Sequence, residues 1–460
     1  MDVQSLESHA LVLTSIGSAR NICRSASLAC GGPAAFSSKS GRGNSVSSIK
    51  LSICIPTYNR EKHLHDCLER CHRDFHFDFP YEIVISDNAS TDNTGAVAKE
   101  FIERGMPIRY VRGAENVGMI PNMNSSLRLG RGDYILYLAD DDRLIPKEVA
   151  NIVAYLDENP NITVCHAPWV MYDGINEVEG GQFYTVNEDK VFPEKSFAEV
   201  FNYMFRGHIF PEIGIYRSSA FRASWVPRDI CFYPFPMLAH FLDQGDIVFR
   251  KTPFYRQVIA SGVERDRVQG GAQIAATGWD QYRGGLEYFL YFASKRGKVG
   301  TSPDERATQE HLCRNFTLQR MAVSMRLLVG MREYVKAYEV YTRMVFGGFD
   351  EHPEAMSFKE GGLLATALQT LSWQLTVTAG IENLVISGYP DIVTLKERLQ
   401  RVRFPSRVEI IDEPAEPSPR QLESTAVLVH LPEERTRFVE MGYLPNMVFA
   451  QDDLIKTILL

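Results

Sequence analysis

The residues best placed to do chemistry are Asp140, Asp141 and Asp142, three successive carboxylates that end the apolar run Tyr134-Ile-Leu-Tyr-Leu-Ala. Such a run closed by acid is the pattern of a buried strand whose carboxyl end delivers charge to a surface crevice. Adjacent carboxylates repel and raise one another's pKa, so the arrangement is costly unless something cationic offsets it. Hard oxygen ligands suit Mg²⁺ or Mn²⁺. Mg²⁺ in particular is held by one or two carboxylates while substrate phosphates complete its shell. In isolation the triplet reads first as a solvated acidic turn ahead of a helix starting near Pro146. What lies upstream changes that reading.

From Leu51 the chain alternates strand and helix. Leu51-Ser-Ile-Cys-Ile predicts a strand halted by Pro56, followed by apolar positions at helical spacing from Arg60 to about Cys71. Tyr81–Ser86 predicts a second strand, then the polar cluster Asp87–Asp92 and a helix to about Arg104. Ile108–Val111 is a third strand, and after Asn116-Val-Gly118 a short helix leads into the strand before the triplet. Alternation at this spacing implies right-handed crossovers and a mainly parallel sheet. Ligands of open α/β sheets bind at the carboxyl ends of the strands. Those ends carry Pro56–Arg60, Asp87–Asp92 and Asp140–Asp142. Singly, Asp92 reads as a helix cap and Thr57–Asn59 as a turn. Together the three clusters line one crevice with a base reader, a phosphate approach and a metal seat.

Composition narrows the class. At 460 residues the chain exceeds one typical core, so a catalytic-sized domain with smaller companions is expected. A net charge of -8 argues against nucleic acid as a partner, because phosphate binding needs a basic face. No apolar stretch reaches the roughly 18 to 20 residues of a membrane-spanning helix. The eight cysteines are dispersed without C-x-x-C pairs, and Cys67, Cys71 and His72 read as one side of a helix. A reduced, cytoplasmic compartment is the simplest expectation.

Four ordered pieces then carry a specific resemblance: Pro56-Thr-Tyr-Asn-Arg60, Val84-Ile-Ser-Asp-Asn-Ala-Ser-Thr-Asp92, Asn116 to Asn122 with Gly118, and Gly132-Asp-Tyr-Ile to Asp142. The sequence resembles the family 2 inverting glycosyltransferases of GT-A fold, closely over about residues 50–150 and less afterwards. The resemblance implies an α/β fold of GT-A type, Rossmann-like with a mainly parallel sheet, and a nucleotide-diphosphate sugar donor. Pro56, Tyr58, Asn59 and Arg60 would border the nucleotide, and Asp87 would accept a hydrogen bond from the ring N–H of a uracil-like base, as an acceptor-only group should. Asn116 and Gly118 would shape the loop beside base and ribose, and Asp140 would face the ribose hydroxyls. Asp141 or Asp142 would hold Mn²⁺ or Mg²⁺ at the diphosphate. Ala139 stands where many members carry Asp, so the acids are shifted to 140–142.

Such chemistry needs a carboxylate as general base for an acceptor hydroxyl. Family members often carry Glu-Asp or Asp-Asp after the metal motif, and no such pair stands between about 205 and 245. Asp229, ahead of Cys231-Phe-Tyr-Pro-Phe-Pro-Met, ranks first and Glu212 is a second candidate. Asp243 reads as a helix end, and His208 and His240 as structural histidines. The aromatics between Val164 and Phe254 are mostly core by this reading, with room for a sugar-stacking cleft.

The expected organisation is a disordered tail at 1–48, a GT-A domain at 49–265, a helical region at 266–376 and a small Rossmann-like α/β domain at 377–460. The last lacks G-x-G-x-x-G, so an assembly or docking role is expected of it. Arginines at 314, 320, 326, 332 and 343 with Lys336 read as solvated helix faces, with contact to an anionic membrane surface as the other reading. The partners implied are a UDP- or dTDP-type sugar donor and a glycan or lipid-linked acceptor, with peripheral contact at the inner membrane face and a homo-oligomer as further expectations. Absence of membrane spans and of Gln-x-x-Arg-Trp sets the chain apart from polymer synthases. A nucleotidyltransferase would need a glycine-rich loop where Pro56–Arg60 stands. A scaffold that binds sugar nucleotides without turnover is the non-enzyme alternative.

Overall fold

The computed structural model describes residues 49–224, 231–263, 278–451 and 454. The expected tail at 1–48 and the candidate base Asp229 lie outside the described residues. The chain divides into two compact units, the first running to Phe316 and the second from Thr317 onward.

The first unit is built on strands β1 (Leu51–Thr57), β2 (Tyr81–Asp87), β3 (Ile108–Arg112) and β4 (Tyr134–Tyr137). They lie side by side in the order β3-β2-β1-β4, all parallel. Between them run α1 (Glu61–Asp74), α2 (Thr94–Glu103) and α3 (Met119–Leu129). Leu51, Ile53, Cys54, Ile55, Ile83, Val84 and Ile85 are fully buried, as strands covered on both faces require. On α1 the buried residues His63, Leu64, Cys67, Leu68 and Cys71 recur at helical spacing, which places both cysteines in the core. The six described cysteines are unbridged.

After the acid triplet come β5 (Arg143–Leu144), α4 (Pro146–Glu158), β6 (Ile162–His166), β7 (Val170–Asp173), β8 (Val178–Gln182) and β9 (Lys190–Phe192). Helix α5 (Phe197–Gly207), β10 (Gly214–Arg217), α6 (Ser218–Ala223), α7 (Pro234–Gln244), β11 (Asp246–Phe249) and β12 (Tyr255–Ala260) follow. Strand β10 enters antiparallel between β4 and β6 and extends the first sheet to eight strands, ending β6-β11-β9. A second sheet has the order β5-β12-β7-β8 and rises from the turn that carries the triplet. Helix α8 (Trp279–Lys295) belongs to the first unit as well: Phe289 packs on Phe197, and Tyr282 on Phe232 with ring centroids 4.7 Å apart.

Helix α9 (Pro303–Gly330) crosses the division between the units. The second unit continues with α10 (Tyr334–Phe346), α11 (Pro353–Ser357), a π-helical turn at Phe358–Gly362 and α12 (Leu363–Val377). Its basic residues are partly paired, Arg326 with Glu354 and Lys336 with Glu333. Then follow β13 (Asn383–Ser387), α13 (Ile392–Arg401), β14 (Glu409–Ile411), α14 (Pro419–Ser424), β15 (Thr425–Val429), α15 (Glu434–Glu440) and β16 (Val448–Ala450). These four strands are parallel in the order β14-β13-β15-β16, a small Rossmann-like sheet around Val385, Val427, Phe438 and Tyr443. At its first turn the Glu434 carboxylate lies against Gly388, where nucleotide-binding folds of this type bring a phosphate.

At the amino ends of the parallel strands a buried polar knot sets the register. Ser52 donates to Glu82 at 2.7 Å and accepts the Gly132 N–H at 2.8 Å, while Glu82 accepts the Arg131 N–H at 2.8 Å and pairs with Arg109. Gly132 passes so close that an added Cβ would stand 2.8 Å from the Ser52 nitrogen and 2.9 Å from the Leu51 carbonyl carbon. Backbone cannot give way as a flexible side chain can, so overpacking is expected to be costly. We predict that Gly132→Ala lowers stability by roughly 1–3 kcal/mol in urea unfolding. An unchanged midpoint would show that the knot tolerates the methyl group.

Candidate active site

The carboxyl ends of β1, β2 and β4 open on one cavity of about 340 Å³. Pro56, Thr57, Tyr58 and Arg60 line it from β1, Asn88 from the loop after β2, and Asn116, Gly118, Met119 and Asn122 from the entry to α3. Tyr137, Ala139, Asp140 and Asp141 complete it from β4. Each contributor stands where a strand stops, because the apolar pattern that buries the strand ends at a polar residue.

The triplet is split two ways, Asp140 and Asp141 towards Arg60 and Asp142 towards β12. Asp140 is 6% exposed; it accepts the Thr57 hydroxyl at 2.7 Å and lies 2.9 Å from the Arg60 Nε. Asp141 is held by the same guanidinium through Nη2. Asp142 turns away from the cavity and accepts the Tyr255 hydroxyl at 2.8 Å and the Val258 N–H at 2.9 Å. Tyr255 in turn accepts the Ala139 N–H at 3.1 Å, which pins the turn to β12. Burial works against the Arg60 charge, but Asp140, Asp141 and Asp142 outweigh it and hold the guanidinium above its ordinary pKa. The Tyr137 phenol is pushed well up by burial first and by the three acids next, so it stays a donor.

Not every expected residue reaches the cavity. Asp142, expected beside Asp141 as a metal ligand, is engaged by β12, and the hydrogen bonds to both of its oxygens are the reason. Asp87, expected to read a base, is 1% exposed and does not line the cavity. It accepts the Ser90 N–H at 2.8 Å and the Tyr110 hydroxyl, with Arg112 at 3.9 Å. Its neighbour Asn88 lines the cavity instead. The Asn88 amide donates to Asn116 Oδ1 at 2.8 Å and its Oδ1 accepts the Val117 N–H at 2.9 Å, shaping the loop around Gly118. Gly118 has φ +91°, a conformation that side-chain-bearing residues rarely adopt.

Asn59 also serves the loops: its Oδ1 accepts the Thr91 N–H at 2.7 Å and its own N–H donates to Ser90 at 2.8 Å. Asp92 accepts the Thr94 N–H and the Glu61 N–H, while Glu61 accepts the Asn93 N–H, so the starts of α1 and α2 cap each other. Thr57, Asn88 and Tyr255 were not singled out by sequence reasoning. Thr57 and Asn88 lay inside the quoted motifs; Tyr255, more than a hundred positions past the triplet, carried no local signal.

Glu212 lies among buried phenols: burial first raises Tyr184, Tyr216 and Tyr233, and its charge adds to the rise. Tyr233 reaches Met123 of α3, its hydroxyl 3.4 Å from the sulfur, and Met119 and Asn122 of the same helix line the cavity. Asp243 ends α7 in a two-pronged ion pair with Arg296 at 2.7 and 2.8 Å. His208 closes α5 with its ring stacked on Phe316, and His240 meets the Tyr288 hydroxyl at 3.0 Å. Among the described residues no cluster of three His, Cys, Asp or Glu side chains forms a ready metal cage. The carboxylates of Asp140 and Asp141 at the cavity wall are nonetheless the hard donors that Mg²⁺ or Mn²⁺ uses when diphosphate oxygens supply the rest.

A cavity at the carboxyl ends of a parallel sheet, walled by acids and by loop amides, defines an α/β domain with its candidate site at the strand ends. Residues 52–226 match the family described as Glycosyl transferase family 2, so the first unit carries a stretch that resembles that family. Abequosyltransferase RfbV of Salmonella typhimurium is 37% identical over 116 residues, 25% of this chain and 35% of that protein. An uncharacterised glycosyltransferase of Methanocaldococcus jannaschii is 28% identical over 161 residues, 35% of this chain and 52% of that protein. The chain thus spans between about a third and a half of the length of these curated relatives. Among solved structures, Staphylococcus aureus TarS 1–349 aligns at TM-score 0.39 and 16% identity, over 68% of this chain and 92% of that one. The Pyrobaculum calidifontis mannosyltransferase PcManGT, in complex with GDP-Man and Mn²⁺, aligns at TM-score 0.40 and 14% identity, over 71% and 90%.

The loop carrying Glu212 is held by His166, whose Nδ1 meets the Ile213 carbonyl at 2.9 Å and must therefore carry the proton. Burial lowers the His166 pKa to about 4, although that hydrogen bond raises it. The unfolded chain takes up this proton near pH 6.5, so the folded state loses stability as pH falls from about 6.5 towards 4, by up to roughly 3 kcal/mol. We predict that His166→Gln flattens the fall in melting temperature across that window. Parallel pH profiles for the two proteins would refute the assignment.

Proposed function

We propose that this chain is an inverting glycosyltransferase that moves a sugar from a nucleotide-diphosphate donor to a hydroxyl of a glycan or lipid-linked glycan. The observation that carries the reading is the convergence of Pro56–Arg60, Asn88, Asn116–Gly118 and Asp140–Asp141 on one cavity. The resemblance to RfbV, an abequosyltransferase, supports addition of one sugar over polymer synthesis. A lipid-linked acceptor would bring the protein to a membrane surface. No helix among the described residues is long and apolar enough to cross one.

In this proposal a UDP- or dTDP-type base seats between Tyr58, whose residue is 40% exposed, and the Asn88–Gly118 loop. Asp140 faces the ribose, and Asp141 with Asp140 holds Mn²⁺ or Mg²⁺ against the diphosphate. When bound, the metal offsets the charge that develops on the departing diphosphate. Glu212 takes the acceptor proton, the acceptor oxygen bonds the anomeric carbon from the face opposite the leaving group, and the bond to the diphosphate oxygen breaks. One displacement inverts the centre. Asp229 is the alternative base.

A panel of nucleotide sugars with Mn²⁺ and candidate acceptors, read by release of nucleoside diphosphate, tests the reaction. Asp141→Asn is expected to reduce turnover by about 100-fold or more, and to abolish the Mn²⁺-dependent part of the rise in melting temperature with UDP. Binding of UDP without turnover across the panel would leave a sugar-nucleotide-binding protein. Glu212→Gln is expected to lower transfer by about 100-fold or more while leaving the UDP-induced shift intact. Unchanged transfer would move the base to Asp229.

A further inference from the structure

The guanidinium of Arg60 lies between Asp140 and Asp141, the two carboxylates proposed above to hold the divalent cation. Its Nε is 2.9 Å from Asp140 Oδ1 and its Nη2 contacts Asp141. The three groups are largely withdrawn from water, with 26% of the Arg60 side chain and 7% of each carboxylate side chain exposed. Two such carboxylates at adjacent positions repel strongly unless a cation lies between them. One unit of positive charge from the chain itself therefore already stabilises the pair.

The contact is close in charge but poor in direction. The buried Arg60 Nε has no aligned hydrogen-bond acceptor although Asp140 lies 2.9 Å away. A guanidinium prefers a planar two-pronged partner, a carboxylate or a phosphate, and one that donates through Nη2 to Asp141 while its Nε–H points off the line to Asp140 is imperfectly matched. Arg60 also lines the cavity, immediately before α1, and carries no side-chain hydrogen bond to that helix start. The diphosphate would thus enter within reach of a guanidinium that can change partners.

We propose that Arg60 is an internal counter-ion, holding Asp140 and Asp141 together without metal and giving them up to the divalent cation only when the nucleotide's diphosphate takes the guanidinium. This rests on the donor and metal reading above and adds an order to it: cation and nucleotide bind cooperatively, and the cation alone binds weakly. A charge exchange of this kind costs little, because the carboxylates gain two charges for one while the guanidinium moves from carboxylate to phosphate. A cation without a nucleotide must first compete with this tethered charge.

The test uses the full chain and Mn²⁺ alone, with free Mn²⁺ followed by electron paramagnetic resonance. Arg60→Gln is expected to bind Mn²⁺ about tenfold or more tightly than the unaltered protein, the effect of removing one nearby charge. Arg60→Lys, which keeps the charge, is expected to stay within about threefold. Repeating the titration with UDP should tighten Mn²⁺ binding strongly in the unaltered protein and much less in Arg60→Gln. Melting curves establish that both variants are folded. If folded Arg60→Gln binds Mn²⁺ no more tightly while Mn²⁺ and UDP still bind the unaltered protein together, the counter-ion inference fails and the metal reading stands. If the unaltered protein takes up no Mn²⁺ even with UDP, both fail. Loss of fold in Arg60→Gln with Mn²⁺ binding unaltered in Arg60→Lys would support Arg60's charge as what holds the pair.

Discussion

Three consecutive carboxylates can stand at one turn because their charges are answered from different parts of the fold. Thr57 and Arg60 at the end of β1 answer Asp140, Arg60 also answers Asp141, and Tyr255 with the Val258 N–H on β12 answers Asp142. Like charges at such spacing are tolerated only when each is paired or hydrogen-bonded. The turn therefore has its geometry only when β1, β4 and β12 are all in place. The second sheet, which seems remote from the cavity in chain order, is a condition for the first sheet's active end.

The loops at the strand ends follow a similar rule of mutual engagement. Asp92 and Glu61 satisfy the first N–H groups of each other's helices, Asn59 ties the β1 loop to Thr91, and Asn88 ties the β2 loop to Asn116 and Val117. Helix starts and sharp turns leave backbone N–H groups that must find acceptors. Much of the polar character of these motifs is spent on that need. Tyr58, Arg60, Asp140 and Asp141 are left to line the cavity.

The two units spend their sequence differently. In the first, β10 runs antiparallel between β4 and β6, which carries the Glu212 loop back across the sheet towards the cavity. In the second, a parallel sheet buries Val385 and Val427, and the Glu434 carboxylate rests on the Gly388 turn.

Much was legible in the chain itself. Short apolar runs ending in polar clusters marked β1, β2, β4 and the carboxyl-end crevice, because a strand covered on both faces must be apolar throughout and must stop where charge begins. Which way each side chain of a cluster points was not legible, because that depends on partners far along the chain. Tyr255 and Val258 hold Asp142 at β12, and Tyr110 and Ser90 draw Asp87 inward. Local residue type determined that acid would gather at this sheet edge. Only tertiary pairing, driven by the need of each buried charge for a partner, decided that Asp140 and Asp141 face the cavity, with Arg60 between them.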